Sequence, residues 1–299
     1  MNEILSGILI VDKEAGYTSF DVVARLRGIL KIKKIGHTGT LDPDATGVLV
    51  CCIGKGTKLI SVMEQDEKEY RATMLLGRDT DTQDISGNII CERDVNVGEK
   101  EILKALKARI GTYDQLPPMY SAKKINGKKL YEYAREGKIV ERKPVTVTIK
   151  DIKDINISVP KVSFSALVSK GTYIRTLIHD IGDDLGCGAC MSDLRRTRAG
   201  KYDIESSHTL DEIEKAANEN RLSGIILPLD SAFPDLKRVK VKDEAMRFLF
   251  NGNPLTGDEI INGCDISEGE DVLIYTIEDV FAAIYTKKDG IFKVNRMFL

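Results

Sequence analysis

Gly36-His37-Thr38-Gly39-Thr40-Leu41-Asp42-Pro43-Asp44-Ala45-Thr46-Gly47 is the stretch on which the reading of this chain turns. Three glycines and one Asp-Pro within twelve residues describe a tight loop whose backbone can come close to a ligand. The residue before a proline is pushed out of the helical region, so the Asp42 carboxylate projects from an extended or turn position. Two plainer readings stand beside this one, an ordinary Asp-Pro turn and a phosphate loop. The phosphate loop fails on spacing. Gly47 to Gly54 is too long for the Walker pattern, and Lys55 is followed by Gly56 rather than Ser or Thr.

Outward from the loop, strands and helices mix without regular βαβ alternation. Gly7 to Val11 reads as a buried strand. Thr18-Ser19-Phe20-Asp21 is a capping box, followed by a helix with Val22, Val23, Leu26, Ile29 and Leu30 on one face. Val48 to Ile53 is a wholly apolar strand, and Tyr70 to Leu76 another. Arg78 to Asn88 reads as a polar loop. Ile102, Leu103, Leu106 and Ile110 mark a second helix. Val145, Val147 and Ile149 alternate as a strand does, as do Val162, Phe164, Ala166 and Val168. Ile174, Leu177, Ile178, Ile181 and Leu185 form the stripe of a third helix, and Thr209 to Glu212 caps a fourth. This pattern predicts an α+β fold rather than a doubly wound sheet. Past Pro228 to Pro234 the pattern shifts to short strands with turns at Gly252, Gly263, Gly269 and Gly290, which predicts a small β-rich domain over 235–299.

The chain has 299 residues, 42% hydrophobic and 30% charged, so a packed core is expected rather than disorder. No apolar run approaches the roughly 20 residues that cross a bilayer, and Met1 to Leu5 lack a basic leader region, so the expected location is the cytoplasm. Six cysteines include one Cys187-Gly-Ala-Cys190 pair with no second pair at zinc-ribbon distance. It reads as small residues in a Gly-rich loop. With three histidines, no metal site is expected. Net charge is -2, but it is unevenly spread. Residues 119–150 carry nine Lys/Arg against three Glu, and 257–271 carry six Asp/Glu and no Lys/Arg. A basic block of this kind suits either a phosphate-binding face or a solvated helix.

Three further segments carry chemistry-bearing side chains. Lys68-Glu69-Tyr70 opens a strand, where the tyrosine alone reads as core. Gln115 to Lys124 runs on into Lys128, Lys129, Tyr131, Tyr133 and Arg135; basic residues interleaved with tyrosines are what a phosphate-tracking, base-stacking surface needs. Lys170-Gly-Thr-Tyr-Ile-Arg175 ends a strand and opens the third helix. Arg175 directly follows a core residue, so it lies beside the apolar face and wants a carboxylate. A partner within the same helix, Asp180 or Asp184, is the structural alternative.

Taken in order, these stretches resemble the TruB family of bacterial tRNA pseudouridine synthases. The likeness rests on 36–47, on Thr80-Asp81-Thr82 with Asp84 and Gly87, on Gln115 to Lys124, on Lys170 to Arg175 and on Leu194-Arg-Arg-Thr197. It runs from Gly7 to about Arg198 and more weakly beyond. One departure is Glu14, where the family usually has Pro after Asp12-Lys13.

The resemblance implies a catalytic domain over 1–234, with a mixed sheet flanked by helices and a mobile RNA-clamping insertion at about 119–143. Residues 235–299 then look like a reduced PUA-type β-barrel. It implies a tRNA substrate modified at uridine 55 of the T-arm loop, no cofactor, no obligate protein partner and a monomer. Asp42 matches the catalytic aspartate, Tyr70 the catalytic-site tyrosine that stacks on the flipped base and is placed to act near the sugar as a base, and Arg175 the arginine that holds the carboxylate ionised. His37 matches the loop histidine that meets the flipped nucleotide, with a satisfied loop hydrogen bond as its alternative. Tyr173 and Lys13 match residues near the pocket and are expected to meet the RNA, as are Lys123, Lys124, Lys128, Lys129 and Arg135 of the clamp. Two rival functions use the same surface. A tRNA-folding chaperone would not need the Asp42 carboxylate, and an RNA-guided synthase would need protein partners.

Overall fold

The computed structural model describes residues 5–261 and 265–299, so the Met1 to Ile4 segment, the Gly263 turn and Cys264 lie outside the described residues. The chain begins with β1 (Gly7–Lys13) and enters α1 (Ser19–Leu30) through the expected box: the Asp21 N–H donates to Thr18 Oγ1 at 3.1 Å, and the Thr18 N–H donates to the Asp21 carboxylate at 2.8 Å. β2 (Ile35–Thr38) and β3 (Thr46–Ile53) bracket the Gly/Asp loop. β3 is apolar from Val48 to Ile53 because both its faces are covered there. Val48, Val50 and Cys52 enter one core, and Leu49, Cys51 and Ile53 enter another. Burial pushes the two thiols up, that of Cys52 to about 12, so both are inert structural side chains.

Next come α2 (Ile60–Met63) and β4 (Lys68–Leu76), then a hairpin of β5 (Arg78–Thr80) and β6 (Ile89–Glu92). The hairpin falls where a plain polar loop was expected. Its residues do not alternate; pairing and the Arg78–Glu92 and Arg93–Asp79 ion pairs hold it. α3 (Glu99–Ala108) stops short of Ile110, because Gly111 at φ 128° turns the chain into β7 (Gly111–Gln115). The basic segment contains a minimal ladder, β8 (Lys124–Ile125) and β9 (Lys128–Lys129), and a short helix, α4 (Leu130–Arg135).

β10 (Val145–Ser158), β11 (Lys161–Val168), α5 (Ile174–Asp184), β12 (Ala189–Ala199), β13 (Tyr202–Asp203) and α6 (Leu210–Asn218) follow. Among the described residues, nine strands join in one mixed sheet with the main path β1-β3-β12-β4-β11-β10-β7. The β3–β12 contact is its parallel pair, and the other pairings are antiparallel. α5 and α3 cover one face with Ile174, Leu177, Ile178, Ile181, Ile102 and Leu106, packed on the alternating residues of β4 and β11. Cys187 and Cys190 lie free and buried beside this layer.

The last part holds β14 (Lys237–Val241), α7 (Met246–Phe250), β15 (Ile260–Ile261), β16 (Asp271–Tyr275), β17 (Phe281–Lys288) and β18 (Ile291–Met297). These strands form a separate sheet in the order β15-β14-β16-β17-β18. The sheets are separate, but one core is shared. Leu273, Tyr275, Ile284 and Phe298 pack in the same cluster as Ile8, Ile10, Val48 and Val50. Among the described residues no helix is long and apolar enough to cross a membrane.

Candidate active site

The 36–47 loop is held from three sides. Lys13, at the end of β1, is fully buried, and its ammonium donates to the carbonyls of Pro43 (2.8 Å), Tyr17 (2.6 Å) and Glu14 (2.9 Å). Burial pulls its pKa down to about 8, against the opposing charges of Asp44 and Asp42. The expectation that Lys13 meets RNA is therefore corrected. None of its surface is exposed, and its donors are spent on backbone carbonyls, that of Pro43 in the loop and those of Glu14 and Tyr17 beside it. Glu14 takes part in this clasp through its carbonyl, which needs no proline.

On the second side, Ser19 in the first turn of α1 accepts from the Leu41 N–H at 2.9 Å and donates to the Leu41 carbonyl at 3.3 Å. On the third, Arg196 of β12 is 1% exposed and donates to Val48 O at 2.6 Å and Gly39 O at 2.9 Å. Gly47 is required here: its φ is 101°, and a Cβ would sit 2.2 Å from the Arg196 carbonyl. Sequence reading quoted Leu194-Arg-Arg-Thr197 without giving Arg196 a role. The available signal was strand alternation, which sends Arg195 and Arg196 to opposite faces. Arg195 pairs with Asp12 at 2.7 Å.

So anchored, the loop presents Asp42 to Arg175. The guanidinium contacts both carboxylate oxygens, Nε to Oδ2 at 3.0 Å and a terminal nitrogen to Oδ1 at 3.1 Å. Its remaining donors go to Thr82 O (3.0 Å) and Tyr120 O (2.8 Å), and Asp84 lies 3.5 Å away. One buried arginine thus joins the catalytic-type loop, the turn after β5, the start of the basic insertion and α5. The in-helix alternative does not occur, because Asp180 and Asp184 pair with Arg109. The Arg175 side chain is 6% exposed and that of Asp42 is 39% exposed, so the carboxylate is the member of the pair that solvent reaches. Protein still surrounds it on most sides. Burial raises the Asp42 carboxyl above its ordinary value, Arg175 opposes that, and Asp84 adds to it.

Tyr70 on β4 is 9% exposed and shares a core cluster with Leu41 and Ala45, which flank Asp42 in the loop. The Arg196 guanidinium lies 6.0 Å from its ring centre. Tyr173 caps α5 and is fixed by Gln115, whose side chain accepts from the Tyr173 N–H at 2.8 Å and donates to its carbonyl at 3.1 Å. Burial raises the Tyr173 phenol above its ordinary value. His37 on β2 meets Phe20 edge-on, with ring centres 5.3 Å apart. Burial and Arg196 hold its pKa below the usual value, so it is neutral at pH 7; among the described residues its Nδ1 has no hydrogen-bond partner.

The clamp candidates differ in how free they are. Lys124 and Arg135 are exposed, and Lys123, Lys128 and Lys129 are half-buried. Lys128 is paired with Glu136 and lies 4.9 Å from the Tyr133 ring centre. Lys129 stands over Tyr131 (5.3 Å) and Phe20 (5.8 Å), and Arg135 over Tyr131 (5.3 Å). The grouping of possible metal ligands among the described residues is Asp79, His179 and Asp183. There the two histidine nitrogens face different carboxylates at 3.6 and 3.7 Å, and Asp79 already pairs with Arg93.

Solved structures with this architecture define the class. A structure of an H/ACA RNP bound to a substrate RNA containing 2'-deoxyuridine matches 98% of this chain and 85% of its own, with a TM-score of 0.71 and 28% identity. A Cbf5-Nop10-Gar1 complex matches over the same shares, with a TM-score of 0.71 and 30% identity. The model of the TruB family pseudouridylate synthase N-terminal domain matches residues 27–174, and that of the tRNA pseudouridylate synthase B C-terminal domain matches 175–234. Proteins named tRNA pseudouridine synthase B are 44% identical in Lachnoclostridium phytofermentans, over 99% of this chain and 100% of the relative, and 44% identical in Alkaliphilus oremlandii, over 91% and 90%. The chain belongs to the TruB family of pseudouridylate synthases, and it is an isomerase of RNA uridine.

Proposed function

We propose that this enzyme converts uridine 55 in the T-arm loop of tRNA to pseudouridine, with Asp42 as the catalytic carboxylate. The observation that carries the proposal is the Asp42–Arg175 pair: a carboxylate reached by solvent, fixed at both oxygens by a buried guanidinium. The relatives named for tRNA support the substrate.

The reaction breaks the N1–C1′ bond, turns the uracil and bonds C5 to C1′. Its atoms balance without an outside donor or acceptor, so no cofactor is invoked. A fixed carboxylate serves it by stabilising positive charge at C1′, by attacking there, or by taking a sugar proton. The target base must leave its stack, which costs a few kcal/mol. Tyr70 would then stack on it, Tyr173 would wall the pocket, and neutral His37 would meet the flipped nucleotide at the loop edge. Arg175 orients Asp42. Lys123, Lys124, Lys128, Lys129 and Arg135 supply phosphate contacts from the 119–143 insertion. Residues 1–234 form the catalytic domain and 235–299 a PUA-like accessory sheet. The enzyme acts as a monomer, without an obligate protein partner, where tRNA matures in the cytoplasm.

The test is incubation of the purified chain alone with unmodified tRNA, followed by chemical mapping of pseudouridine. Conversion confined to position 55 is expected. Modification elsewhere, or none until a guide RNA or partner protein is added, would contradict the reading.

A further inference from the structure

Phe20 is the most exposed aromatic side chain among the described residues, at 66%. It stands in the first turn of α1 outside the core, whereas Val22, Val23 and Leu26 of the same helix are buried. Its position is nonetheless fixed. The residue before it, Ser19, exchanges two hydrogen bonds with the backbone of Leu41, the residue before Asp42. Phe20 is thereby tied, through the neighbouring Ser19, to the loop that carries Asp42, and its ring meets His37 of that stretch.

The ring is also the start of a series. The ring meets His37 edge-on, and the Lys129 ammonium lies 5.8 Å from its centre. From Lys129 the series continues to Tyr131 and then to Arg135. Flat apolar faces alternate with cations from the loop out along α4. Unpaired nucleotides fit such a row: bases stack on the rings, and phosphates meet the cations.

We propose that Phe20 forms a base-stacking subsite for a second unpaired nucleotide of the substrate loop, next to the one that is isomerised. The nucleotide stacks on the face of Phe20, with Lys129 at its phosphate or at the ring edge. This inference rests on the proposed function and deepens it. It assigns to α1 a part in substrate selection: an RNA whose loop cannot offer that second unpaired base would bind less well, whatever base stands at the target position.

The experiment compares wild type, Phe20→Ala, Phe20→Leu and Phe20→Trp on a T-arm stem-loop RNA, and on versions in which each non-target loop nucleotide is made abasic in turn. Binding affinity and single-turnover rate at saturating enzyme are both read, with the thermal midpoint as a check on folding. Phe20→Ala and Phe20→Leu are expected to weaken binding about 10-fold, the loss of one stacked base, while Phe20→Trp binds like wild type. The saturated rate and the salt dependence should stay unchanged, because no charge and no reacting group is removed. One abasic RNA should bind wild type as weakly as Phe20→Ala binds the intact RNA, and on that RNA the Phe20→Ala change should cost nothing more. Three results would overturn the subsite: Phe20→Ala binding within twofold of wild type, Phe20→Leu restoring affinity, or a Phe20→Ala loss that is the same on every abasic RNA. Conversion by wild type in the same assay reports on the proposed function separately. If wild type does not convert the intact stem-loop, that reading fails first; if it does and the Phe20 variants bind alike, only the subsite fails.

Discussion

The turn position of Asp42 was legible because its neighbours are unusual: glycines on both sides permit a tight loop, and the proline next in line keeps Asp42 out of the helical region. Arg175 was legible as an arginine at a core boundary wanting a carboxylate, although sequence spacing equally allowed Asp180 or Asp184. Arg196 and Lys13 were not legible in their structural roles. A buried cation whose partners are backbone carbonyls leaves no trace in the identities of those partners, and the carbonyls of Gly39, Val48 and Pro43 become acceptors only when distant segments meet. The electrostatics of Asp42 carry a prediction about pH. A carboxyl raised by burial and by Asp84 loses its charge at a higher pH than an ordinary aspartate. If the ionised form is the active one, the single-turnover rate falls as pH drops through that raised pKa. Asp84→Asn removes the like charge, so the acid limb should move to lower pH. A limb that stays in place or moves upward would show that Asp84 does not act on the reacting carboxylate.

Elements with a clear hydrophobic period were read closely. β11 alternates Val162, Phe164, Ala166 and Val168 into one core, and α5 places its whole stripe against the sheet. The β5–β6 hairpin was missed because Arg78-Asp79-Thr80 has no apolar period to read, and cross-strand ion pairs do the holding. The basic insertion was legible as charge, but its division into free and engaged cations was not. Lys124 and Arg135 are exposed, whereas Lys128 is paired with Glu136. Neutralising Lys124 and Arg135 together should weaken tRNA binding and flatten its salt dependence, by up to about 0.7–0.9 of a log–log unit for each phosphate that no longer meets a cation. Neutralising Lys128 should flatten it less, since Glu136 already offsets that charge. Titrations across a salt series make the comparison. An unchanged slope in the double variant would mark the insertion as a solvated face.

The change of pattern near Pro234 located the start of the second sheet, since β14 begins at Lys237. What the pattern could not carry was the shared core. Phe298 packs in the cluster of Ile8 and Val50, an association across nearly the whole chain length that no local period encodes. This alters what a truncation at residue 234 should do. Leu273, Tyr275, Ile284 and Phe298 would leave behind an uncovered apolar face, and each large side chain contributes about 1.5–3 kcal/mol when fully buried. The truncated protein should melt well below the full chain and bind a hydrophobic dye. An unchanged thermal midpoint would mean that the two sheets are independent.

The assignment of catalysis stands or falls on Asp42→Asn. The amide keeps the size of the side chain and removes its charge, so it stabilises a cationic C1′ poorly and is a weak nucleophile and base. Loss of one such interaction should slow the chemical step on the order of a thousandfold or more. Affinity for tRNA should change only a few-fold, because it is assigned to phosphate and stacking interactions elsewhere. Some stability should be lost, since the buried guanidinium of Arg175 loses the nearer of its two carboxylates and keeps Asp84. Single-turnover pseudouridine yield and tRNA affinity, measured on the same folded preparation, give the answer. The expected result is near-normal binding with almost no conversion; conversion at close to the wild-type rate by a folded Asp42→Asn protein would contradict the role given to this residue.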